Sequence, residues 1–364
     1  MTFSQDLYSE KARSYGHTEE FISLTVDYAE NLLAKNLPVI FSTEHLALLL
    51  NLEIEELKYI IEKREEHYKF YQIKKRNGKG FRQIIAPHNN LREIQQFINV
   101  EILNKIEIHN QAKGFIKGKS ILDNAKPHEN KHAILNIDLL KFFDSISERR
   151  VYGIFKSMGY STNLCVDLAK LTTVRLPDKY FETFTQKELK SYKDLVPKNS
   201  SVLPQGAPTS PMISNLVLRR LDNRLNKLAK KQNVEYTRYA DDITFSGEIS
   251  ELPQIKLLRH IIRDEGFCIN WGKVGIYKKG RTQMVTGLTV SNGTHIHRNF
   301  KKEVKKHIYG CINFGVENHL KFLNIDDKKF YKEWLLGKIY FIKAIEPHDA
   351  QRMLSDFNKI IWLT

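Results

Sequence analysis

The stretch Val234-Glu235-Tyr236-Thr237-Arg238-Tyr239-Ala240-Asp241-Asp242-Ile243-Thr244-Phe245-Ser246 decides the fold. Aromatic and β-branched residues alternate with polar ones on either side of the two acids, which predicts two strands with Asp241 and Asp242 at the turn between them. Strand propensity favours Val, Ile or Thr in such surroundings, and two adjacent carboxylates at a tight turn repel each other. A divalent cation with hard oxygen ligands offsets that repulsion, so the pair is a candidate metal-ligating site. An aspartate at a strand end is more often a turn former, and the pair alone is a weak signal.

Working outward, Ala133-Ile134-Leu135-Asn136-Ile137-Asp138 reads as a short, nearly continuous apolar strand that also ends in an acid. Three carboxylates, Asp138, Asp241 and Asp242, converging from neighbouring strands suit a pair of Mg²⁺ ions about 4 Å apart, the arrangement that clamps attacking and leaving oxygens in phosphoryl transfer. Upstream, Tyr68 to Ile73 and Phe81 to Pro87 read as a hairpin around the basic turn Lys74-Lys75-Arg76-Asn77-Gly78-Lys79-Gly80. Such a turn is either a solvated loop or a phosphate grip.

The outer parts are helical. Apolar residues between Glu19 and Leu33 recur near a 3.6 period, and further helices are expected over His45–Leu52, Glu53–Glu66 and Leu91–Ile108. Residues 298–364 return to helical character with Lys301, Lys302, Lys305, Lys306 and His307 near their start. The expected class is therefore α+β, divided as an N-terminal helical extension (1–67), a hairpin-bearing region (68–132), a mixed centre (133–297, with a surface insertion at 175–200) and a basic helical tail (298–364).

Charge narrows the partner. Lys and Arg number 57 against 42 Asp and Glu, a net charge of +15, which on a soluble chain suggests nucleic acid. No apolar run approaches the roughly 20 residues of a membrane span. Met1 to Asp6 lacks the basic and apolar regions of a secretion signal. Cys165, Cys268 and Cys311 are too few and too scattered for a disulfide framework or a CxxC zinc site. A cytoplasmic protein without a membrane partner is the expectation.

Four segments then resemble the reverse transcriptases, in that family's order. They are Asp138-Leu139-Leu140-Lys141-Phe142-Phe143-Asp144-Ser145-Ile146, Leu203-Pro204-Gln205-Gly206-Ala207-Pro208-Thr209-Ser210-Pro211, Tyr239-Ala240-Asp241-Asp242 (the YxDD box) and Gly266-Phe267-Cys268-Ile269-Asn270-Trp271-Gly272-Lys273. The resemblance implies a right-hand polymerase with fingers, an antiparallel palm and a helical thumb. It implies that Asp138 and Asp241 hold two Mg²⁺, with Asp242 in support and the main-chain carbonyl of Leu139 as a further ligand. Phe143 matches the steric gate against a ribonucleotide 2′-hydroxyl, although a core aromatic is the plainer reading, and Phe142 is expected to be one. Gln205 and Gly206 would lie against the templating pair and incoming sugar. Lys74, Lys75 and above all Arg82 would grip the dNTP triphosphate, and Lys273 would sit near the pyrophosphate.

Two shorter matches point to the retron branch. Asn124-Ala125-Lys126-Pro127-His128 resembles its NAxxH motif and Val285-Thr286-Gly287 its VTG motif. Both regions are associated in that branch with the enzyme's own structured RNA, so Asn124, His128, Val285, Thr286 and Gly287, with Lys301 and Lys305 of the tail, are the candidate RNA-binding residues. A turn histidine and a plain β-turn are the alternatives for His128 and Thr286-Gly287. The branch copies part of a noncoding RNA of the msr-msd type into single-stranded multicopy DNA (msDNA). Priming is from a guanosine 2′-hydroxyl, and an operon-encoded effector commonly accompanies the enzyme in antiviral defence against phages. At 364 residues no room is expected for a ribonuclease H or integrase domain. Rival readings are a group II intron-like or diversity-generating reverse transcriptase, and a catalytically silent RNA-binding scaffold. The segment Leu176 to Ser200 has no role in any of these.

Overall fold

Helix Glu19–Leu33 forms where the 3.6 period places it, because Thr18 accepts a hydrogen bond from the Phe21 N–H at its start and Ile22, Val26, Ala29 and Leu32 share its buried face. The computed structural model describes residues 3–74, 81–177, 180, 182, 186, 189–190, 200–325 and 329–362. Among these the strands are β1 (Tyr68–Lys74), β2 (Phe81–Pro87), β3 (Ala133–Asp138), β4 (Val174–Arg175), β5 (Ser201–Val202), β6 (Glu235–Tyr239), β7 (Asp242–Gly247), β8 (Gly275–Lys278), β9 (Met284–Val285), β10 (Leu288–Thr289) and β11 (His295–Ile296). The chain packs as two units, each assembled from separated stretches of sequence.

The first unit comprises residues 1–116, 138–228 and 254–272. Its short helices Thr43–Leu49 and Ile54–Glu62 end earlier than the apolar pattern suggests, and a 3₁₀ turn over Arg64–His67 leads into β1. β1 and β2 pair antiparallel from Tyr68 opposite Pro87 to Lys74 opposite Phe81. The expected basic tip, Lys75 included, lies outside the described residues. The helix expected over Leu91–Ile108 is α-helical only through Asn89–Phe97, then widens to a π turn at Ile98–Ile102 and tightens to 3₁₀ at Leu103–Lys105. Ile98 and Leu103 are both fully buried. An i, i+5 spacing faces one side on a π turn and not on an α-helix. The insertion read as surface is corrected at its described start, since Leu176 and Tyr180 are buried, while most of it lies outside the described residues.

The second unit comprises residues 117–137, 229–253 and 273–364. Its four-stranded sheet runs β6-β7-β3-β8, with β6–β7 and β3–β8 antiparallel. Ala133, Ile134, Leu135 and Ile137 of β3 are all buried, as expected for an inner strand covered on both faces. Asn136 interrupts that run usefully: it accepts from the Thr244 hydroxyl on β7 at 3.1 Å and donates to the Met284 carbonyl at 2.9 Å. A three-stranded sheet, β11-β10-β9, shares one apolar core with the helices Arg298–Phe314, Tyr331–Lys343 and Pro347–Phe357, through Val285, Leu288, Val304, Ile308, Leu335 and Phe357. Helices and antiparallel sheets together make this an α+β chain.

Candidate active site

In the first unit, Asp138 is 4% exposed and held from two directions by one residue. The Asn270 side chain donates to Asp138 Oδ1 at 2.8 Å, and the Asn270 backbone N–H donates to the Asp138 carbonyl at 2.8 Å. Leu139 bridges to Ile269, and the Leu140 N–H donates to the Cys268 carbonyl at 2.8 Å, so the two motifs lie antiparallel along each other. Past them the chain turns through Lys141 at φ +46° into a 3₁₀ turn over Phe143–Ser145, tied by the Ser145 hydroxyl donating to the Lys141 carbonyl at 2.9 Å. That turn splits the two phenylalanines. Phe142 is buried against Phe267, with ring centroids 5.9 Å apart, whereas Phe143 is half-buried beside Phe115 at 6.3 Å. Next to the gate candidate, Asp144 is buried and accepts from the Tyr180 hydroxyl at 2.8 Å. Burial pushes its carboxyl up to about 6 against the opposing pull of Tyr180 and Lys141.

A cavity of about 660 Å³ in this unit is lined by Arg82, Phe143, Gln205 and Gly206, joined by Tyr71, Arg92 and Phe115. Gly206 sits at φ +135°, and a Cβ there would meet Ile84 Cγ2 and the Ile85 carbonyl oxygen, each at 3.0 Å. The Ile85 N–H donates to the Gln205 carbonyl at 2.8 Å. Glycine is therefore required by the press of this loop onto β2, and Arg82 of β2 is carried to the same cavity by that contact. The Ser210 hydroxyl closes the loop by donating to the Pro204 carbonyl at 2.6 Å.

In the second unit, Tyr239 pairs with Asp242, leaving Ala240 and Asp241 as a two-residue turn. Asp241 is half-buried and Asp242 exposed. Ala240 is left-handed at φ +56°, and the guanidinium of the fully buried Arg238 donates to its carbonyl at 3.0 Å. Val285 pairs with Leu288 across Thr286 (φ +46°) and Gly287 (φ +84°), a type I′ hairpin, so the plain-turn alternative describes this motif's backbone. Val285 is buried and Gly287 exposed. Asn124 and His128 are fully buried, inside the unit rather than on a face that meets solvent.

The remaining candidates scatter. Lys74 is exposed at the end of β1, and Lys273 is exposed in a 3₁₀ turn over Trp271–Lys273. Lys305 is exposed, but Lys301 is engaged by Glu346 at 2.8 Å and Asp349 at 3.0 Å. Among the described residues, no three or more His, Cys, Asp or Glu side chains are grouped closely enough to hold a metal ion. The donor chemistry nonetheless suits a hard divalent cation, since the candidate ligands are carboxylate and carbonyl oxygens with no sulfur or imidazole. Sequence reasoning missed Arg238, Phe115, Arg92 and the Asp144–Tyr180 pair. Only the position of Arg238 inside an alternating strand hinted that a basic residue would be buried.

The profile of the family described as "Reverse transcriptase (RNA-dependent DNA polymerase)" matches residues 73–290. Among curated proteins, the chain is 32% identical to the Retron Mx65 reverse transcriptase of Myxococcus xanthus, across 87% of this chain and 71% of that one. It is 34% identical to the Retron Mx162 reverse transcriptase of the same organism, across 72% and 56%. It is 29% identical to the Retron Ec86 reverse transcriptase of Escherichia coli, across 92% and 95%.

Proposed function

The chain belongs to the retron reverse transcriptases, which are RNA-directed DNA polymerases, and from that premise we propose that it copies part of its own structured noncoding RNA into single-stranded multicopy DNA, primed from a guanosine 2′-hydroxyl of that RNA. The observation that supports this reading most is the cavity where Arg82, Phe143, Gln205 and Gly206 meet although they come from three distant stretches of sequence.

In this reading Asp138, Asp241, Asp242 and the Leu139 carbonyl would hold two Mg²⁺ ions, which would polarise the attacking hydroxyl and offset phosphate charge. Asn270 fixes the Asp138 carboxylate in one orientation. Arg82, with Lys74 and Lys75, grips the triphosphate of the dNTP. The Phe143 ring stands where a 2′-hydroxyl would enter, and Gln205 and Gly206 back the templating pair. The primer hydroxyl gives its proton to solvent and its oxygen bonds to the α-phosphorus as the bond to pyrophosphate breaks, and Lys273 supplies a proton to that leaving group and regains one from solvent. The Thr286-Gly287 turn and Lys305 contact the RNA, and the segments holding Asn124, Val285 and Lys301 support that contact. Double-stranded RNA is read through shape, phosphates and 2′-hydroxyls, which suits a basic helical thumb. Among the described residues no helix is long and apolar enough to cross a membrane. A cytoplasmic enzyme acting with an operon-encoded effector in phage defence completes the proposal.

The test is the nucleic acid that co-purifies when the chain is expressed beside its native upstream DNA. Treatment with RNase and debranching enzyme, followed by a denaturing gel, should yield a discrete DNA whose mobility changes on debranching. A DNA-free preparation that still extends an annealed primer on RNA would remove the 2′-priming claim. No synthesis in either format would remove the polymerase reading.

A further inference from the structure

Thr237 stands four residues before Asp241, and Ser246 four residues after Asp242. Between them, within the second unit, lies the imidazole of His128, with Nε2 2.7 Å from the Thr237 hydroxyl and Nδ1 2.6 Å from the Ser246 hydroxyl. One ring thus spans both strands of the hairpin that carries the paired acids. We propose that His128 is a positioning residue for polymerisation, an internal strut that sets the Tyr239-Ala240-Asp241-Asp242 turn, rather than a group that reads RNA.

The hairpin has need of one. Among the described strands β6 lies at the sheet's edge, paired on one side by β7, and the turn must keep two adjacent carboxylates in place against their mutual repulsion. Arg238 braces the turn itself through the Ala240 carbonyl, and His128 braces the strands below it. The donors run in one direction. The Thr237 hydroxyl donates to the Asn124 carbonyl at 3.4 Å, which leaves its oxygen to accept from Nε2–H of His128, and Nδ1 then accepts from the Ser246 hydroxyl. Burial, with Lys131 adding to it, holds the ring neutral by pulling its pKa down to about 3. A neutral ring with both nitrogens occupied and no exposed surface has nothing left to offer a phosphate or a base. The same geometry gives the histidine of the NAxxH motif a local reason: His128 ends the short turn Lys126–His128, which packs on β6 and β7.

This inference rests on the reading of Asp241 and Asp242 as the polymerase carboxylates. The experiment uses the full chain on a primed, non-cognate RNA template, with Thr237→Val, Thr237→Ser, Ser246→Ala and His128→Phe, each normalised by burst amplitude so that misfolded protein does not count. Thr237→Val and His128→Phe should lower kcat by about tenfold, since small misplacements of reacting groups carry such losses. They should also raise the half-saturating Mg²⁺ concentration several-fold, and leave both the dNTP KM and the affinity for the chain's structured RNA within about twofold of wild type. Thr237→Ser, which keeps the hydroxyl, should restore wild-type values. If His128→Phe does not fold, Thr237→Val and Ser246→Ala carry the test. Unchanged kcat and Mg²⁺ dependence would overturn the strut, and so would a loss confined to RNA affinity. Asp241→Asn run alongside separates the two levels. Activity surviving in that variant overturns the underlying site, whereas a dead Asp241→Asn beside an unaffected Thr237→Val overturns only the role of His128.

Discussion

Asn270 grips Asp138 twice, its side-chain amide donating to Oδ1 and its backbone N–H donating to the main-chain carbonyl, both at 2.8 Å. Two bonds from one residue hold the Asp138 side chain and backbone in a single arrangement. The pairing also lays Cys268 to Asn270 along the first motif, with Leu139 on Ile269 and Leu140 on Cys268. Asp138 thereby arrives oriented before any substrate binds.

Asn270→Ala should therefore lower kcat for single-nucleotide addition by about tenfold with little change in dNTP KM, the signature of lost positioning. Asn270→Asp should be worse, because it replaces the donor to Asp138 with a second carboxylate that repels the first. Rapid-quench incorporation on a primed RNA template measures both variants. A raised KM at unchanged kcat would show that Asn270 serves binding instead.

Phe143 lines the cavity and leans on Phe115, itself left-handed at φ +62°. Phe143→Ala should raise the rNTP to dNTP incorporation ratio by about tenfold or more, since a steric wall discriminates by clash. Phe115→Ala, removing the backing ring, should shift the ratio the same way by a smaller factor. Competition assays with paired nucleotides read the ratio directly, and an unchanged ratio in Phe143→Ala would end the gate assignment.

Asp144 supplies a pH test of the packing. Its folded-state pKa is raised from 3.8 to about 6, chiefly by burial. The folded chain thus binds an extra proton between those values, and stability present below about pH 4 is lost as pH rises toward 6. Asp144→Asn keeps an acceptor for the Tyr180 hydroxyl and removes the buried charge. It should stabilise the protein at pH 7.5 by on the order of 2 kcal/mol and make no difference near pH 4. Urea unfolding at the two pH values measures this. Equal effects at both would place the carboxyl in a wetter site than the structure gives it.

Periodicity made the elements legible and left their chemistry half told. The helix Glu19–Leu33, the strand Ala133–Asp138 and the hairpin around Asp241 follow from spacing alone, because burial there repeats with the backbone period. The π turn at Ile98–Ile102 does not, since apolar spacing over a few residues cannot separate i+4 from i+5 closure. Arg238 counts as one more cation in composition, yet it is wholly buried under its own turn. Ala240, Lys141 and Thr286 adopt positive φ without being glycine, and all three lie in motifs singled out from sequence. Strained backbone collects where the surroundings over-determine a geometry, and local propensity rules are blind to it. Tyr180 was hidden for a different reason: its partner Asp144 is 36 residues away, and a polar aromatic stretch looks like surface until that partner is known.

The basic C-terminal helical segment separates two lysines that sequence treats alike. Lys301 is held by Glu346 and Asp349, so its charge is already answered within the protein. Lys305, one helical turn further on, is exposed. RNA affinity should fall steeply with salt in the wild type as phosphate contacts release counterions. Lys305→Ala should lessen the slope of log K against log salt by about one. Lys301→Ala should leave that slope as it is and instead lower thermal stability, because the largely buried Glu346 loses the lysine and keeps only His295 beside it. Filter binding across a salt series, paired with thermal unfolding, distinguishes the two. If Lys301→Ala flattens the slope as much as Lys305→Ala does, the ion pair opens on RNA binding and Lys301 belongs to the interface.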